Sequence, residues 1–404
     1  MALEGGMLGG GAGGGAGGGA GGGAGGGAGG GAGGGAGGGA GGGANSLGDG
    51  FASPLFCDAM NRHRGACMDP GESVVWQLRQ RWDADNHEHV HRWEPWVRSY
   101  LCGQILNSNL NFEVTADKPP EGGKLSYARL QVTLSTWLPD MKSRHNLVTL
   151  VRPPETAFHE QVKRVLAWAD LREERIPEIL TQIGNTYAFW GALIPLHTER
   201  MRRTREVLDA AVQFAMFVEM RFKHELACWR PADYSPQVQP MVSTPGHGSL
   251  PSGHCVEAYV IKEVLEALLG LTAPDGDAES QLHAQFERTA ARIATNRVVA
   301  GVHFPIDNMA GRLLGTVLGR YFVFFCEGAR APSSEFLGPT RTFRGDTCPE
   351  DVEFDPQGQD LDDLPGIYES GAKDFPDIAV QASVLTELWK SARDELKRLQ
   401  LPFR

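Results

Sequence analysis

The run Pro251-Ser252-Gly253-His254 stands directly before Val256, Tyr259, Val260 and Leu265. Apolar residues at that spacing share one face of a helix, and a serine is a favourable cap, so the sequence predicts a helix over 253–269 with Ser252 at its start. The same helical periodicity continues on both sides. It predicts helices over 157–172, 177–193, 197–228, 278–296 and 305–326, joined by turn residues such as Pro274-Asp275-Gly276 and by a long proline- and glycine-bearing loop at 231–251. The fold class that follows is mainly all-α, a helical bundle. Upstream, 74–82 reads as helix, while 128–137 and 146–151 alternate like short strands, giving a mixed N-terminal segment.

Four regions result. Residues 1–44 hold 29 of the 53 glycines in a Gly-Gly-Gly-Ala repeat that cannot bury apolar surface, so 1–50 is read as a flexible tail. The mixed segment covers 51–154, packed on the bundle, and the helical domain that carries the chemistry covers 155–330. Residues 331–404 comprise an acidic stretch and then an amphipathic helix over 382–399, whose Val384, Leu385, Leu388, Trp389, Ala392 and Leu396 form a stripe expected to dock on the bundle.

Of the 404 residues, 38 are basic and 49 acidic, a net charge of −11. The segment 346–377 holds eleven acids and one lysine, so it accounts for −10 of that and is read as a solubilising wrap. No bulk basic field remains, and no nucleic-acid partner is expected. No stretch of 18 apolar residues and no leader is read, so the expectation is a cytoplasmic protein that is not an integral membrane protein. Seven cysteines without a Cys-x-x-Cys pair argue for reduced thiols.

Three clusters carry chemistry. Lys223 and Arg230 are seven residues apart, close to two helical turns, so both are expected on one face with the helix ending before Pro231. Ser252, Gly253 and His254 open a helix at its positive end, where backbone N–H groups face an anion and His254 can move a proton. In Arg297-x5-His303-x3-Asp307, the carboxylate can turn back onto the imidazole, fixing Nδ1–H and leaving the Nε2 lone pair free to attack phosphorus or bind a metal centre. All three converge on holding a tetrahedral or trigonal-bipyramidal oxyanion.

The order Lys-x6-Arg-Pro, Pro-Ser-Gly-His, Arg-x5-His-x3-Asp resembles the tripartite signature of the superfamily that joins vanadium-dependent haloperoxidases to type 2 phosphatidic acid phosphatases and bacterial acid phosphatases. One departure is Asn296, where many members carry serine before the arginine. The resemblance implies that Lys223, Arg230, Ser252, Gly253 and Arg297 bind the equatorial oxygens of phosphate or vanadate. It implies that His303 is the axial partner of the central atom, as phosphohistidine nucleophile or as vanadium ligand, that His254 is the acid/base, and that Asp307 orients His303.

His247, seven residues before His254, resembles the histidine of the bromoperoxidase branch and is assigned to a halide or substrate pocket. The leading expectation is therefore a soluble haloperoxidase-like enzyme with vanadate as cofactor, taking peroxide, halide and a small organic substrate. The alternative is a phosphatase hydrolysing phosphate esters without a cofactor, and a third reading is a non-catalytic anion-binding helical protein. A homodimer, common among soluble members, is what the resemblance implies for assembly.

Overall fold

The computed structural model describes residues 54–67, 88–116, 130–137, 144–271, 278–328, 337–362, 364–371 and 383–399. The Gly/Ala repeat, the helix expected over 74–82 and the turn Pro274-Asp275-Gly276 lie outside them. The chain divides into two compact units, residues 1–100 with 183–185, and residues 101–182 with 186–404. In the first, α1 (Pro54–Cys67) precedes a single tight turn, Glu88–Arg92, closed by the buried Arg98 guanidinium donating to the carbonyls of Val90 and Trp93. Helix α2 (Pro95–Ser108) follows.

The second unit contains a five-stranded sheet in the order β1-β2-β3-β4-β5. Its strands are β1 (Leu110–Ala116), β2 (Leu130–Thr136), β3 (His145–Val151), β4 (Arg341–Arg344) and β5 (Tyr368–Ser370). Neighbours are antiparallel except β3 and β4, with Val132 opposite Leu150 and Leu134 opposite Val148. Five consecutive residues of β2 and five of β3 are buried, so both faces of the sheet's centre are covered.

The acidic C-terminal stretch does more than wrap the surface. β5 lies inside it and pairs with β4, while Asp362 and Asp346 neutralise Arg341 and Arg344 at 2.8 and 2.9 Å. Strands of three and four residues rich in charge carry too little apolar alternation to read from sequence.

The helices of this unit are α3 (Glu155–Trp168), α4 (Arg172–Thr181), α5 (Tyr187–Gly191), α6 (Arg202–Leu226), α7 (Pro231–Tyr234), α8 (Gly253–Leu269), α9 (Ala278–Val299), α10 (Pro305–Glu327) and α11 (Ser383–Arg398). The single helix expected over 177–193 is two, because Pro177 is accommodated inside α4, which then stops at Thr181. Helix α6 is shorter than the 197–228 expected, ending where Ala227 turns left-handed at φ 47°.

Helices α8 and α10 form the tightest pair. A Cβ on Gly315 would come within 2.5 Å of the Val256 carbonyl, and one on Gly311 within 2.9 Å of the Ser252 carbonyl. Only bare backbone allows that approach, and the Ser252 N–H donating to the Asp307 carbonyl at 3.0 Å locks the starts of the two helices together. Among the described residues α10 is the one helix long and apolar enough to cross a membrane, and 94% of its most apolar window is buried inside the protein. Helix α11 docks through its apolar stripe onto α6, α8 and α10, with Trp389 Nε1 donating to Glu327 at 2.9 Å.

Candidate active site

Lys223 reaches the site from the last turn of α6. It is 2% exposed, and its ammonium donates to the carbonyls of Ser249 and Pro251. Arg230 does not share a helical face with it, contrary to expectation. The left-handed Ala227 ends α6, and Arg230 becomes the extended residue before α7, where the Asp233 carboxylate accepts its N–H at 2.8 Å. The turn, rather than helical periodicity, brings the guanidinium into the site.

There Arg230 Nη1 donates to the Val302 carbonyl at 2.7 Å and meets His303 Nε2 at 3.0 Å, while Nη2 meets His247 Nδ1 at 3.2 Å. A guanidinium has only donors, so His303 Nε2 must be an acceptor, whereas His247 Nδ1 also lies 3.2 Å from the Gly248 carbonyl, which can only accept. The His303 proton is therefore on Nδ1, which faces Asp307 Oδ2 at 3.0 Å. That oxygen also accepts from Ser249 Oγ and from the Phe304 N–H, the latter at 2.9 Å. Asp307 thus caps its own helix and orients the imidazole at once. Burial raises the Asp307 pKa to about 6 against the lowering effect of those donors, and burial with Arg230 and Lys223 pushes His303 well below its ordinary value. His303 is neutral with a bare Nε2.

Ser252 and Gly253 occupy the start of α8. The Ser252 side chain does not cap the helix as expected; its Oγ is buried with no hydrogen-bond partner among the described residues. Gly253 has no room for a side chain, since a Cβ would lie 2.7 Å from Glu219 Oε1. His254 donates from Nε2 to the Gln182 carbonyl at 2.9 Å, and burial together with Arg297 lowers its pKa to about 3. Arg297 arrives from the last turn of α9. Its Nη2 donates to Gln182 Oε1 at 3.0 Å and to the Ile179 carbonyl at 3.3 Å, leaving a buried Nε without a partner. His247 is half-buried beside Arg230, with its pKa lowered to about 4 by burial and by Lys223.

Among the described residues, Lys223, Arg230 and Arg297 have no side-chain carboxylate within ion-pair distance of their charged groups. Three buried cations without a counter-ion are costly unless an anion completes them. Residues 208–328 match the PAP2 superfamily. No curated protein matches the chain significantly. The PAP2 superfamily includes phosphatases and haloperoxidases, and its members are generally enzymes.

The matched span runs from α6 through α10 and covers all eight signature positions. It leaves out three site-bordering residues that the sequence did not single out: Arg175, Glu178 and Gln182 of the α4 end. Ser249, inside the span, was also passed over. Its position two residues before Pro251 carries no spacing signal; only the fold sets its hydroxyl against Asp307.

The donor set fits an oxyanion. Ser252 Oγ and Arg297 Nε are buried donors lacking acceptors among the described residues. No cluster of three or more His, Cys, Asp or Glu side chains able to hold a simple metal ion occurs among the described residues.

Proposed function

We propose that this pocket holds vanadate and that the protein is a haloperoxidase-like enzyme oxidising halide with peroxide. The observation that carries this reading is the state of His254. Its Nε2 proton is committed to the Gln182 carbonyl, so Nδ1 is a lone pair, and the low pKa keeps the ring neutral. In this tautomer Nδ1 has no proton to give, so a proton can only be received there. Deprotonating peroxide requires an acceptor, whereas expelling an alkoxide from a phosphate ester requires a donor at the same place.

Lys223, Arg230, Ser252, Gly253 and Arg297 would hold the vanadate oxygens, and His303 Nε2 would ligate the metal. Bound there, vanadate supplies a Lewis-acidic centre that activates peroxide for two-electron oxidation of halide. The protein's own share is electrostatic and positional. The cations spread the oxyanion's charge over fixed donors, Asp307 keeps His303 in the one tautomer whose Nε2 is bare, and His254 accepts the proton. Beside Arg230, His247 lines the halide or substrate side of the pocket. Because its longest apolar helix is enclosed by the fold, the enzyme would work in solution on small molecules.

Phosphate-ester hydrolysis is the second reading, favoured by His303. An imidazole with Nδ1–H held by a carboxylate and Nε2 bare is also a nucleophile toward phosphorus, with His254 then required to carry a proton to the leaving alkoxide. The test is direct. Purified protein with orthovanadate, peroxide and bromide should brominate a phenol dye, and should not do so without vanadate. Hydrolysis of p-nitrophenyl phosphate inhibited by vanadate, without bromination, would reverse the order of the two readings. Absence of both activities, with orthovanadate still bound, would leave only an anion-binding protein.

A further inference from the structure

The end of α4 carries a chain of hydrogen bonds that runs into the pocket from outside the signature. Arg292 pairs with Glu178 through two bonds, at 2.8 and 2.7 Å, and these hold the Glu178 carboxyl down to a pKa of about 2. Glu178 Oε2 accepts from Asn296 Nδ2 at 2.9 Å, while Asn296 Oδ1 accepts from Arg175 Nη1 at 3.2 Å. A carboxylate can only accept and a guanidinium can only donate, so the Asn296 amide has one allowed orientation. Its Nδ2 therefore also donates to Gln182 Oε1, at 3.0 Å. Arg297 Nη2 donates to that same oxygen at 3.0 Å. The Gln182 amide is thereby fixed too, with Oε1 inward to two donors and Nε2 left buried without a partner. Meanwhile the Gln182 main-chain carbonyl holds His254.

We propose that Gln182 is a positioning residue of the oxyanion site, setting through its side chain which edge of Arg297, and through its carbonyl which nitrogen of His254, faces the bound anion. With Nη2 tied to Gln182 and Ile179, Nε and Nη1 of Arg297 are the donors left to bind. With Nε2 tied to the carbonyl, Nδ1 is the proton acceptor. Asn296, the one departure from the familiar signature, has its function here: its amide supplies both a donor for Gln182 and an acceptor for Arg175, which the single hydroxyl of a serine reaches less far to do. This inference rests on the oxyanion-binding reading of the pocket and deepens it.

The experiment measures orthovanadate affinity by calorimetry on the full chain, with thermal midpoints recorded in parallel. Gln182→Glu keeps the shape and both acceptor contacts, so the fold persists, but its carboxylate ties up Arg297 as an internal ion pair. Orthovanadate affinity should fall about tenfold to a hundredfold while the thermal midpoint holds. Because a carboxylate also repels the anion, the neutral Gln182→Leu decides: a merely structural glutamine would leave its folded fraction with near-wild-type affinity, and affinity within twofold of wild type overturns the proposal. Gln182→Leu, measured on its folded fraction, should also lose about tenfold, because Arg297 Nη2 is released. Nitrogen NMR of His254 in the wild-type protein should find Nε2 protonated; a proton on Nδ1 overturns the His254 half. Failure of the wild type itself to bind orthovanadate would instead sink the oxyanion reading.

Discussion

Helix α8 borders two buried charge clusters, and they are built in opposite ways. At its start, Lys223, Arg230 and Arg297 converge without a carboxylate in ion-pair reach, and burial drives the Lys223 pKa down. Nearby Glu219 and Glu257 are pushed above the usual carboxylate range, again mainly by burial, so they favour the neutral form and offer little compensation. Two turns further along, Lys262 is equally buried but faces Glu266 at 3.0 Å, Glu263 at 3.3 Å and Glu287 at 3.7 Å. Burial lowers its pKa there too, but the three carboxylates outweigh it and the net shift is upward. Arg320 and Arg312 close the network on Glu263 and Glu287 at 3.1 and 3.3 Å. Equal desolvation with opposite outcomes means that the second cluster is complete within the fold and the first is not. On the proposed function, an external anion would complete the first cluster.

The largest effect that sharpens this contrast is at His303. On the proposed reading its Nε2 exchanges the Arg230 hydrogen bond for the anion's central atom, so His303→Ala should lower activity, bromination or hydrolysis, by about a thousandfold or more. Folding should be intact by circular dichroism, because the ring's partners are the polar Asp307 and Arg230, which can re-pair. Retention of most activity would remove His303 from its assigned role.

Next come the two lysines, read as a pair. Lys262→Met removes the cation shared by three buried carboxylates, leaving Glu263 to Arg320, Glu287 to Arg312 and Glu266 to His283, and should cost about 1–3 kcal/mol of unfolding free energy while orthovanadate affinity of the folded protein is unchanged. Lys223→Met removes a cation whose burial outweighs its attraction to Glu219, so stability should not fall, while orthovanadate affinity drops by about tenfold to a hundredfold. Denaturant titration and calorimetry on both variants check this. If both lost stability alike, the cup would be an ordinary ion-pair core and the contrast would collapse.

The distribution of what could be read from sequence follows the same division. Helices α8, α9 and α10 were legible because their apolar positions repeat with helical period over more than four turns, and the signature residues lie at their ends. Strands β2 and β3 were legible from alternation alone. What escaped depends on contacts between distant segments. The α6 end is set by a left-handed alanine no propensity favours, and Arg230 reaches the pocket by that turn instead of by a shared face. Ser252 was legible as the residue before α8 but not as an unpartnered hydroxyl. Gln182, more than 110 residues from Asn296 in sequence, has no spacing signal; only the packing of α4 against α9 brings the two amides together.

The smallest effect is the pH dependence of anion affinity, and its sign separates the two clusters once more. Sulfate is a suitable probe, being a tetrahedral dianion whose charge stays constant through neutral and alkaline pH. His254 and His247, with pKa values of about 3 and 4, and His303, lowered further in the same direction, are neutral between pH 5 and 8 and add no slope there. Asp307 ionises near pH 6, and Glu219 and Glu257, raised to about 7 and about 8, follow; each adds negative charge near the site and should give a shallow loss of affinity. Lys223, its pKa depressed below the ordinary 10.5, then deprotonates at a pH where an exposed lysine would still be charged. Because the cation is what binds, affinity should fall as pH rises through that lowered pKa, approaching tenfold per pH unit, with proton uptake on binding in the same window. Lys223→Met should flatten this alkaline limb, and Lys262→Met should leave it intact, since the raised pKa of Lys262 keeps its charge throughout. A sulfate affinity indifferent to pH in the wild type would mean that Lys223 is not part of the anion's binding charge.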